Sequence, residues 1–206
     1  MLVEIHPDNP QPRIIKQIVD CLKSGGIIIY PTDSLYGIGC DLHNPKAVEK
    51  LCKLKQIKPN KLDLSFICND LSQVSEYTKP LNSTVFKLIK SHTPGPYTFI
   101  LESNTKVPKI VGYPKKTVGV RIPNSKIIQS IVHEFGSPIV SMSVKDSSDE
   151  INPYITDPEN ILEKYEHLVD IIINGGVSGN IPTSVIDCTT NPPELIRQGL
   201  GEVEIF

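Results

Sequence analysis

Residues 27–40 read Ile-Ile-Ile-Tyr-Pro-Thr-Asp-Ser-Leu-Tyr-Gly-Ile-Gly-Cys. The first four are large and mostly β-branched, which predicts a short buried strand that Pro31 ends. Hydroxyl groups, one carboxylate and two glycines follow, a combination that gives a rigid turn with exposed amides and close backbone approach. We interpret residues 31–39 as a loop that binds a small ligand and leads into a helix. A tight structural turn, whose polar side chains cap nearby backbone groups, is the alternative.

Helix and strand patterns alternate on both sides of this stretch, which favours an α/β or α+β sheet protein over a bundle or a sandwich. Residues 12–23 have apolar side chains at helical spacing, and Asn44-Pro45 is a typical helix start. Since strict βαβ alternation is lacking, we predict one domain over residues 1–206, with no additional C-terminal domain, in which helices pack against a twisted, mixed sheet. Further strands are predicted at 3–5, 65–68, 97–102, 117–121, 139–141, 170–173 and 184–187, and further helices near 82–90, 125–135 and 157–165.

The composition indicates a globular protein inside the cell. Its 206 residues are 39% hydrophobic and 21% charged, and no run approaches the ~18 apolar residues of a membrane span. The N-terminus lacks a basic start followed by an apolar run, so we expect a cytoplasmic protein with no membrane partner. Five dispersed cysteines and five histidines without metal spacing argue against a disulfide framework and against a protein-held metal.

The lysines are concentrated in two groups, although the net charge of −2 excludes nucleic-acid binding through overall basicity. One group lies in residues 46–61 and the other in residues 106–116. Each predicts either a solvated surface or a patch that attracts phosphate groups. A G-x-x-x-x-G-K-[ST] sequence is missing, so nucleotide binding through a P-loop is excluded.

Seven segments, in order from residue 31 to residue 199, resemble signatures of the YrdC-like family. Residues 31–39, PTDSLYGIG, resemble P-T-[DE]-T-x-Y-G-L-G, and residues 93–98, TPGPYT, resemble W-P-G-P-x-T. The other matches are LKQ at 54–56 with the start of K-x-R, VGVRIP at 118–123 with V-x-x-R-x-P, PIVSMS at 138–143 with P-[LI]-x-S-T-S, TSVID at 183–187 with S-T-[VI]-[VI]-D, and IRQG at 196–199 with [IL]-R-x-G.

The resemblance implies a YrdC-like α/β fold with a concave basic surface and a threonylcarbamoyl-AMP synthase activity. Such an enzyme converts L-threonine, bicarbonate and ATP into an adenylate used in tRNA modification, and releases pyrophosphate. Mg²⁺ would arrive with ATP and contact few side chains. The implied site residues are Lys55 and Arg121 for catalysis, Thr32, Ser34, Tyr36 and Arg121 for threonine and bicarbonate, and Lys55, Lys58, Ser141, Ser143, Ser184 and Arg197 for the nucleotide.

Chemistry supports a division of work between the two arginines in these segments. A guanidinium group matches a carboxylate or a phosphate with two parallel hydrogen bonds. Arg121 is our candidate for the carboxylate of the amino acid, and Arg197 for the phosphates. For the three serines, a local hydrogen bond to the backbone is the alternative interpretation.

Two departures from the family pattern fall on the expected ATP site. The K-x-R element reads Lys55-Gln56-Ile57, and the S-x-N element reads Ser143-Val144-Lys145. With these departures, and with threonine in place of tryptophan at position 93, the sequence resembles the YciO-like branch of the family. The alternative function is binding of double-stranded RNA or tRNA without synthesis, because A-form RNA is recognised by shape and phosphate contacts. The lysines predicted for that role are Lys46, Lys50, Lys53, Lys61, Lys115 and Lys116.

Overall fold

A computed structural model describes residues 1–58, 65–109, 114–145 and 154–203 of the chain. Within them, ten strands and six helices follow one another. The strands are β1 Leu2–Glu4, β2 Ile28–Tyr30, β3 Gly37–Asp41, β4 Ser65–Ile67, β5 Tyr97–Glu102, β6 Thr117–Arg121, β7 Ile139–Ser143, β8 Ile171–Asn174, β9 Ser184–Asp187 and β10 Glu194–Arg197. The helices are α1 Pro12–Lys23, α2 Pro45–Leu54, α3 Leu71–Tyr77, α4 Ser83–His92, α5 Lys126–Phe135 and α6 Pro158–Tyr165.

The ten strands form one mixed sheet in the order β1-β8-β2-β3-β7-β4-β6-β5-β9-β10. Four neighbouring pairs are parallel, and the other five are antiparallel. This confirms the predicted fold class, a mixed sheet with helices packed against it.

Alternate residues of the strands enter two separate hydrophobic clusters, one on each face of the sheet. On the first face, Ile29, Ile38 and Phe66 pack with the buried sides of α2, α3, α4 and α6. On the second face, Ile28 and Tyr30 pack with the isoleucines of α1 and α5. The candidate site lies on this second face, beside the part of the sheet that α1 and α5 cover.

The helices begin where the sequence indicates. Asn44 caps α2 by accepting a hydrogen bond from the backbone N–H of Ala47 at 3.1 Å, and Pro45 follows in the first turn. The helix ends at Leu54, and the side chain of the next residue, Lys55, reaches the end of β7. Among the described residues, no helix has both the length and the apolar character that a membrane crossing requires.

The structure corrects the prediction for residues 31–39. Gly37–Asp41 form strand β3, which pairs with β2 and β7, so the loop ends at Tyr36 and leads into a strand rather than a helix. The two glycines of β3 suggested a loop because glycine disfavours strands. Packing explains glycine at position 37, because a Cβ atom there would lie 2.8 Å from the ring of Tyr30, which occupies that space.

Candidate active site

A cavity of about 550 Å³ opens on the second face of the sheet. Its floor is a row of small residues in register across neighbouring strands. Ser141 pairs with Gly39 and Ser65, and Ser65 pairs with Gly119. Small side chains leave space above the sheet, and the volume lies in the range of small-molecule sites. The lining residues are Tyr36, Gly37, Ser65, Thr98, Ile100, Pro114, Lys115, Lys116, Thr117, Gly119, Arg121, Ser141, Met142, Ser143, Thr183, Val185 and Arg197.

Arg121, at the end of β6, lines the cavity and is held from behind by the loop of residues 31–36. Its Nη2 donates to Asp33 Oδ1 at 3.1 Å and to Ser34 Oγ at 3.1 Å. The other oxygen of Asp33 accepts the backbone N–H of Asn124 at 2.8 Å, which fixes the carboxylate. The ion pair is nearly buried, with 11% and 10% of the two side chains exposed.

Arg121 retains hydrogen-bonding capacity for a ligand. Its Nε is buried and has no hydrogen-bond partner among the described residues. All the hydrogen bonds described for this guanidinium come from Nη2. Burial lowers the pKa of Arg121, and the charge of Asp33 opposes that effect. An unpaired buried donor is costly, so a ligand acceptor at this position would be favourable.

Thr32 and Ser34 were predicted to contact the substrate, but neither is among the residues that line the cavity. Thr32 Oγ1 donates to the carbonyl of Leu35 at 2.6 Å, and Ser34 is buried with its hydroxyl accepting from Arg121. The structure therefore gives both residues the role of holding Arg121. Here the alternative interpretation, a structured turn, describes these two side chains better.

Tyr36, also predicted to contact the substrate, does line the cavity. Its hydroxyl donates to the carbonyl of Gly176 at 2.7 Å. Burial raises the pKa of this phenol to about 12, so it remains a neutral donor. The bond ties the loop of residues 31–36 to the segment that follows β8.

Arg197 lies on β10, the last strand in the sheet order, and also lines the cavity. Its Nε and Nη2 donate to the carbonyl of Thr183 at 3.1 and 2.9 Å. The hydroxyl of Thr183 lies 2.8 Å from the hydroxyl of Thr98, and both threonines line the cavity. The guanidinium is thus fixed in direction while its exposed part faces the cavity.

The prediction that Ser184 contacts the nucleotide is corrected. Strand alternation turns Thr183 and Val185 to the cavity and Ser184 away from it. Ser184 is fully buried, donates to the carbonyl of Gly201 and accepts the backbone N–H of Gly199 at 2.9 Å. Thr183, which we did not predict, is the polar residue with which this segment lines the cavity. The one-residue alternation in TSVID was the signal that identifies it.

Ser141 and Ser143 line the cavity, as their predicted nucleotide contacts require. Lys55 and Lys58 are not among the lining residues. Lys55 Nζ donates to the carbonyl of Ser143 at 3.2 Å, and burial, followed by repulsion from Lys145, lowers the pKa of Lys55. Lys58 is exposed.

The predicted RNA-binding lysines are divided by the structure. Lys115 and Lys116 lie on the cavity wall, a position that suits a phosphate ligand as well as RNA. Lys50 pairs with Asp170 at 3.1 Å, and Lys53 pairs with Glu49 at 2.9 Å. A further member of the set, Lys46, is exposed, while Lys61 lies outside the described residues.

Histidine, cysteine, aspartate and glutamate form no group suited to a metal ion in the part of the chain that the structure describes. All five cysteines are free thiols, and three of them are buried. Burial raises the pKa of the Cys40 and Cys68 thiols, which keeps them protonated and unreactive.

The chain resembles known proteins over most of its length. Residues 20–199 match the Sua5/YciO/YrdC family model, which is described as "Telomere recombination". The uncharacterized protein YciO of Escherichia coli K12 is 40% identical over 203 residues, 98% of this chain and 97% of that protein. The threonylcarbamoyl-AMP synthase of Vibrio campbellii is 31% identical over 187 residues, 89% of this chain and 98% of the synthase.

Solved structures give the same result for the fold. The crystal structure of E. coli YciO superimposes with a TM-score of 0.88 at 38% identity and covers 99% of this chain and 98% of that one. Sua5 of P. abyssi, crystallised with L-threonine, gives a TM-score of 0.87 at 24% identity, with 97% of this chain and 57% of that one covered. On the family match and the identity to YciO, this chain belongs to the Sua5/YciO/YrdC family.

Proposed function

We propose that this protein is a cytoplasmic L-threonylcarbamoyladenylate synthase that combines L-threonine, bicarbonate and ATP, releases pyrophosphate and supplies tRNA modification. One observation supports this most directly. The cavity wall includes four cationic side chains, Lys115, Lys116, Arg121 and Arg197, and no carboxylate among its described lining residues. A carboxylate, bicarbonate and a triphosphate are all anions, so this wall complements each reactant. The 31% identity to a threonylcarbamoyl-AMP synthase supports the same activity.

In this proposal Arg121 binds the carboxylate of threonine. Arg121 lines the cavity, while Asp33 and Ser34 hold its Nη2 from the other side. Because the loop fixes the guanidinium before the ligand arrives, little conformational entropy is lost on binding. Tyr36, which also lines the cavity, excludes water from its part of the wall.

The chemistry requires positioning more than covalent work by the protein. The amine of threonine condenses with bicarbonate to a carbamate, and water leaves. A carbamate oxygen then forms a bond to the α-phosphorus of ATP as the bond to the β-phosphate oxygen breaks, and pyrophosphate departs. Stabilising such a step depends on cations and hydrogen-bond donors aimed at the phosphate oxygens. Arg197, Lys116 and the serine hydroxyls of the floor are the groups that supply them here.

Mg²⁺ would enter this cavity as part of the ATP complex. The donor set fits that arrangement, because the lining residues offer hydroxyls and cations instead of the carboxylates that hold a resident magnesium ion. Magnesium brought in with ATP would supply charge neutralisation, and Ser141, Ser143 and Thr183, which line the cavity, would orient the phosphates.

The departures from the family pattern change which residues neutralise the phosphates. Ile57, in the place of an arginine, packs partly buried against the first hydrophobic cluster. Lys145, in the place of an asparagine, lies over the ring of Tyr154 at 5.2 Å. Neither residue is among the described lining residues of the cavity, so in this proposal the charge comes from the wall lysines and Arg197.

The test is pyrophosphate release by the purified protein with ATP, Mg²⁺, bicarbonate and L-threonine, with mass spectrometry of the adenylate. Omission of threonine or bicarbonate is expected to abolish release, and Arg121→Ala is expected to lose at least about 100-fold in kcat/KM, because a charged contact to the carboxylate in a nearly buried position is removed. Arg13→Ala is the matched control, since Arg13 is exposed on α1, and it should retain activity. Absence of any threonine-dependent release from folded protein would refute the proposal.

A further inference from the structure

The side chain of Tyr30 reaches across a neighbouring strand. Tyr30 on β2 pairs with Gly37 on β3, and Gly39 on β3 pairs with Ser141 on β7. A Cβ atom at Gly37 would lie 2.8 Å from Tyr30 Cε2, and one at Gly39 would lie 3.3 Å from the Tyr30 hydroxyl. Because these two positions lack side chains, the ring lies over β3. Its hydroxyl reaches Ser141 Oγ, 2.5 Å away.

The direction of this hydrogen bond follows from burial. Tyr30 is fully buried, and burial raises the pKa of its phenol, so the hydroxyl keeps its proton. A buried donor must find an acceptor, and Ser141 Oγ is the acceptor that the structure describes for it. Tyr30 therefore donates and Ser141 accepts.

The consequence for Ser141 is that its own proton points elsewhere. A serine hydroxyl has one donor and two acceptor lone pairs. One lone pair of Ser141 receives the Tyr30 proton, and no described residue accepts the serine proton. Ser141 lies in the middle of the cavity floor, in register with Gly39 and Ser65. Its proton is then available to an acceptor in the cavity, and the bond from Tyr30 strengthens it as a donor.

We propose that Tyr30 is a positioning residue, which sets Ser141 as a hydrogen-bond donor to an anionic oxygen of the bound ligand. The proposal rests on the proposed function for the identity of that ligand: a phosphate oxygen of ATP or a carboxylate oxygen of threonine. The shared chemistry is an anionic oxygen, and separate titrations distinguish the two sources. The glycines of β3 are, on this view, part of the site, since they let the ring reach β7.

The experiment is isothermal titration of ATP with Mg²⁺, and separately of L-threonine, into the wild-type protein, Tyr30→Phe, Ser141→Ala and the double variant. For one of the two ligands, Tyr30→Phe should weaken binding by about three- to tenfold, the range of one hydrogen bond. Ser141→Ala should weaken it at least as much. The double variant should fall within about twofold of Ser141→Ala, because Tyr30 acts only through Ser141.

Tyr77→Phe is the control for loss of a buried phenol. Tyr77 is 7% exposed, and its hydroxyl lies 2.9 Å from His43 Nε2. Neither residue is among those that line the cavity. Tyr77→Phe should bind both ligands like wild type, whatever it does to the melting temperature. As a second readout, 3-fluorotyrosine at position 30 keeps the shape and makes the phenol a stronger donor, so it should tighten the binding that Tyr30→Phe weakens.

Three results would overturn the inference: unchanged affinity in Tyr30→Phe, additive losses in the double variant, or a wild-type protein that binds neither ligand. The fluorinated protein applies the same test if Tyr30→Phe does not fold. Failure of the proposed function is seen separately, as ligand binding without threonine-dependent pyrophosphate release. In that case the Tyr30–Ser141 coupling is still measured by the binding titrations.

Discussion

Lys116 shows how position changes the meaning of a charged residue. The sequence placed it in a basic group and suggested RNA binding, whereas the structure places it on the cavity wall. We predict that Lys116→Gln raises the KM for ATP by about three- to tenfold and leaves the KM for threonine within twofold, because an exposed charge contact contributes only modestly. Steady-state kinetics with each substrate varied measures both values. Lys46→Gln makes the same charge change at an exposed position of α2 and should alter neither KM value. Equal effects of the two variants would contradict the placement of Lys116 at the ATP site.

Lys55 is expected to give the protein a pH-dependent stability. Its pKa lies below the usual 10.5, because of burial and then of Lys145, so between the lowered pKa and 10.5 the unfolded chain binds more protons than the folded one. The free energy of unfolding therefore rises with pH across that window, and the penalty for the buried charge is fully present below it. Urea unfolding of wild type and Lys55→Met from pH 7 to 10.5 measures this contribution as a difference.

The difference between wild type and Lys55→Met should grow in favour of wild type as the pH rises. When Lys145→Gln is present in both proteins, this stability difference should rise less with pH, since one cause of the lowered Lys55 pKa is removed. Equal growth in both backgrounds would show that Lys145 does not act on Lys55.

At the scale of elements, local patterns predicted most of the helices and strands, and strand pairing decided the rest. Helix α1 and strands β5, β6 and β9 have the predicted bounds, because their apolar periodicity or β-branched runs end at clear breakers. Strand β3 was missed, since its glycines are explained only by a tyrosine on the adjacent strand. Helix α3 has only seven residues, and β10 is a mostly exposed strand of four residues, so neither gave a periodic signal long enough to recognise.

The candidate site was predicted in part for the same reason. Arg121, Ser141, Ser143 and Arg197 do line the cavity, as their positions in the family segments imply. Successive residues of a strand point to opposite faces of the sheet, so a matched segment alone does not show which of its residues faces the ligand. The structure places Thr183 on the cavity wall and turns Ser184 away from it. Hydrogen bonds within a turn, which occupy Thr32 and Ser34, cannot be read from spacing.

The close packing of β3 against its neighbours gives a stability prediction. A Cβ atom at Gly39 would lie 2.3 Å from the Val140 carbonyl oxygen and 2.8 Å from a methyl of Ile139, both in the adjacent strand. The backbone of β7 cannot yield without loss of pairing, so Gly39→Ala should lower the free energy of unfolding by about 3 kcal/mol, the upper range for overpacking. Chemical denaturation measures it.

Gly136→Ala is the matched comparison. Gly136 has φ 77° and no atom within 4 Å of an added Cβ, so only the backbone conformation is penalised, by about 1 kcal/mol. Gly39→Ala as stable as Gly136→Ala would mean that β3 and β7 adjust to a side chain, and that the glycines are not required by packing.

At the scale of the whole molecule, the sheet brings together segments that are far apart in the chain. The same arrangement brings a lysine of the basic stretch close to a distant carboxylate. Strand β5 lies between β6 and β9, and β8 lies between β1 and β2, an order that no local pattern contains. As a result Lys50 meets Asp170, 120 residues away, and one cation of the basic stretch is neutralised by a distant carboxylate. The net charge of −2 adds no general attraction for nucleic acid.

This charge arrangement predicts weak binding of duplex RNA. Each phosphate that a protein neutralises steepens the dependence of affinity on salt, with a slope near −0.9 per contact on a log–log plot for duplex DNA. With Lys50 and Lys53 paired to carboxylates, we expect about two or three contacts, a slope of about −2, and a Kd weaker than about 100 µM at 150 mM salt. Filter binding over a salt series measures both. A slope of −5 or steeper, lost in the Lys46→Gln, Lys50→Gln, Lys53→Gln triple variant, would contradict the prediction: these ion pairs would then open to bind the RNA backbone, and RNA binding would become the leading function.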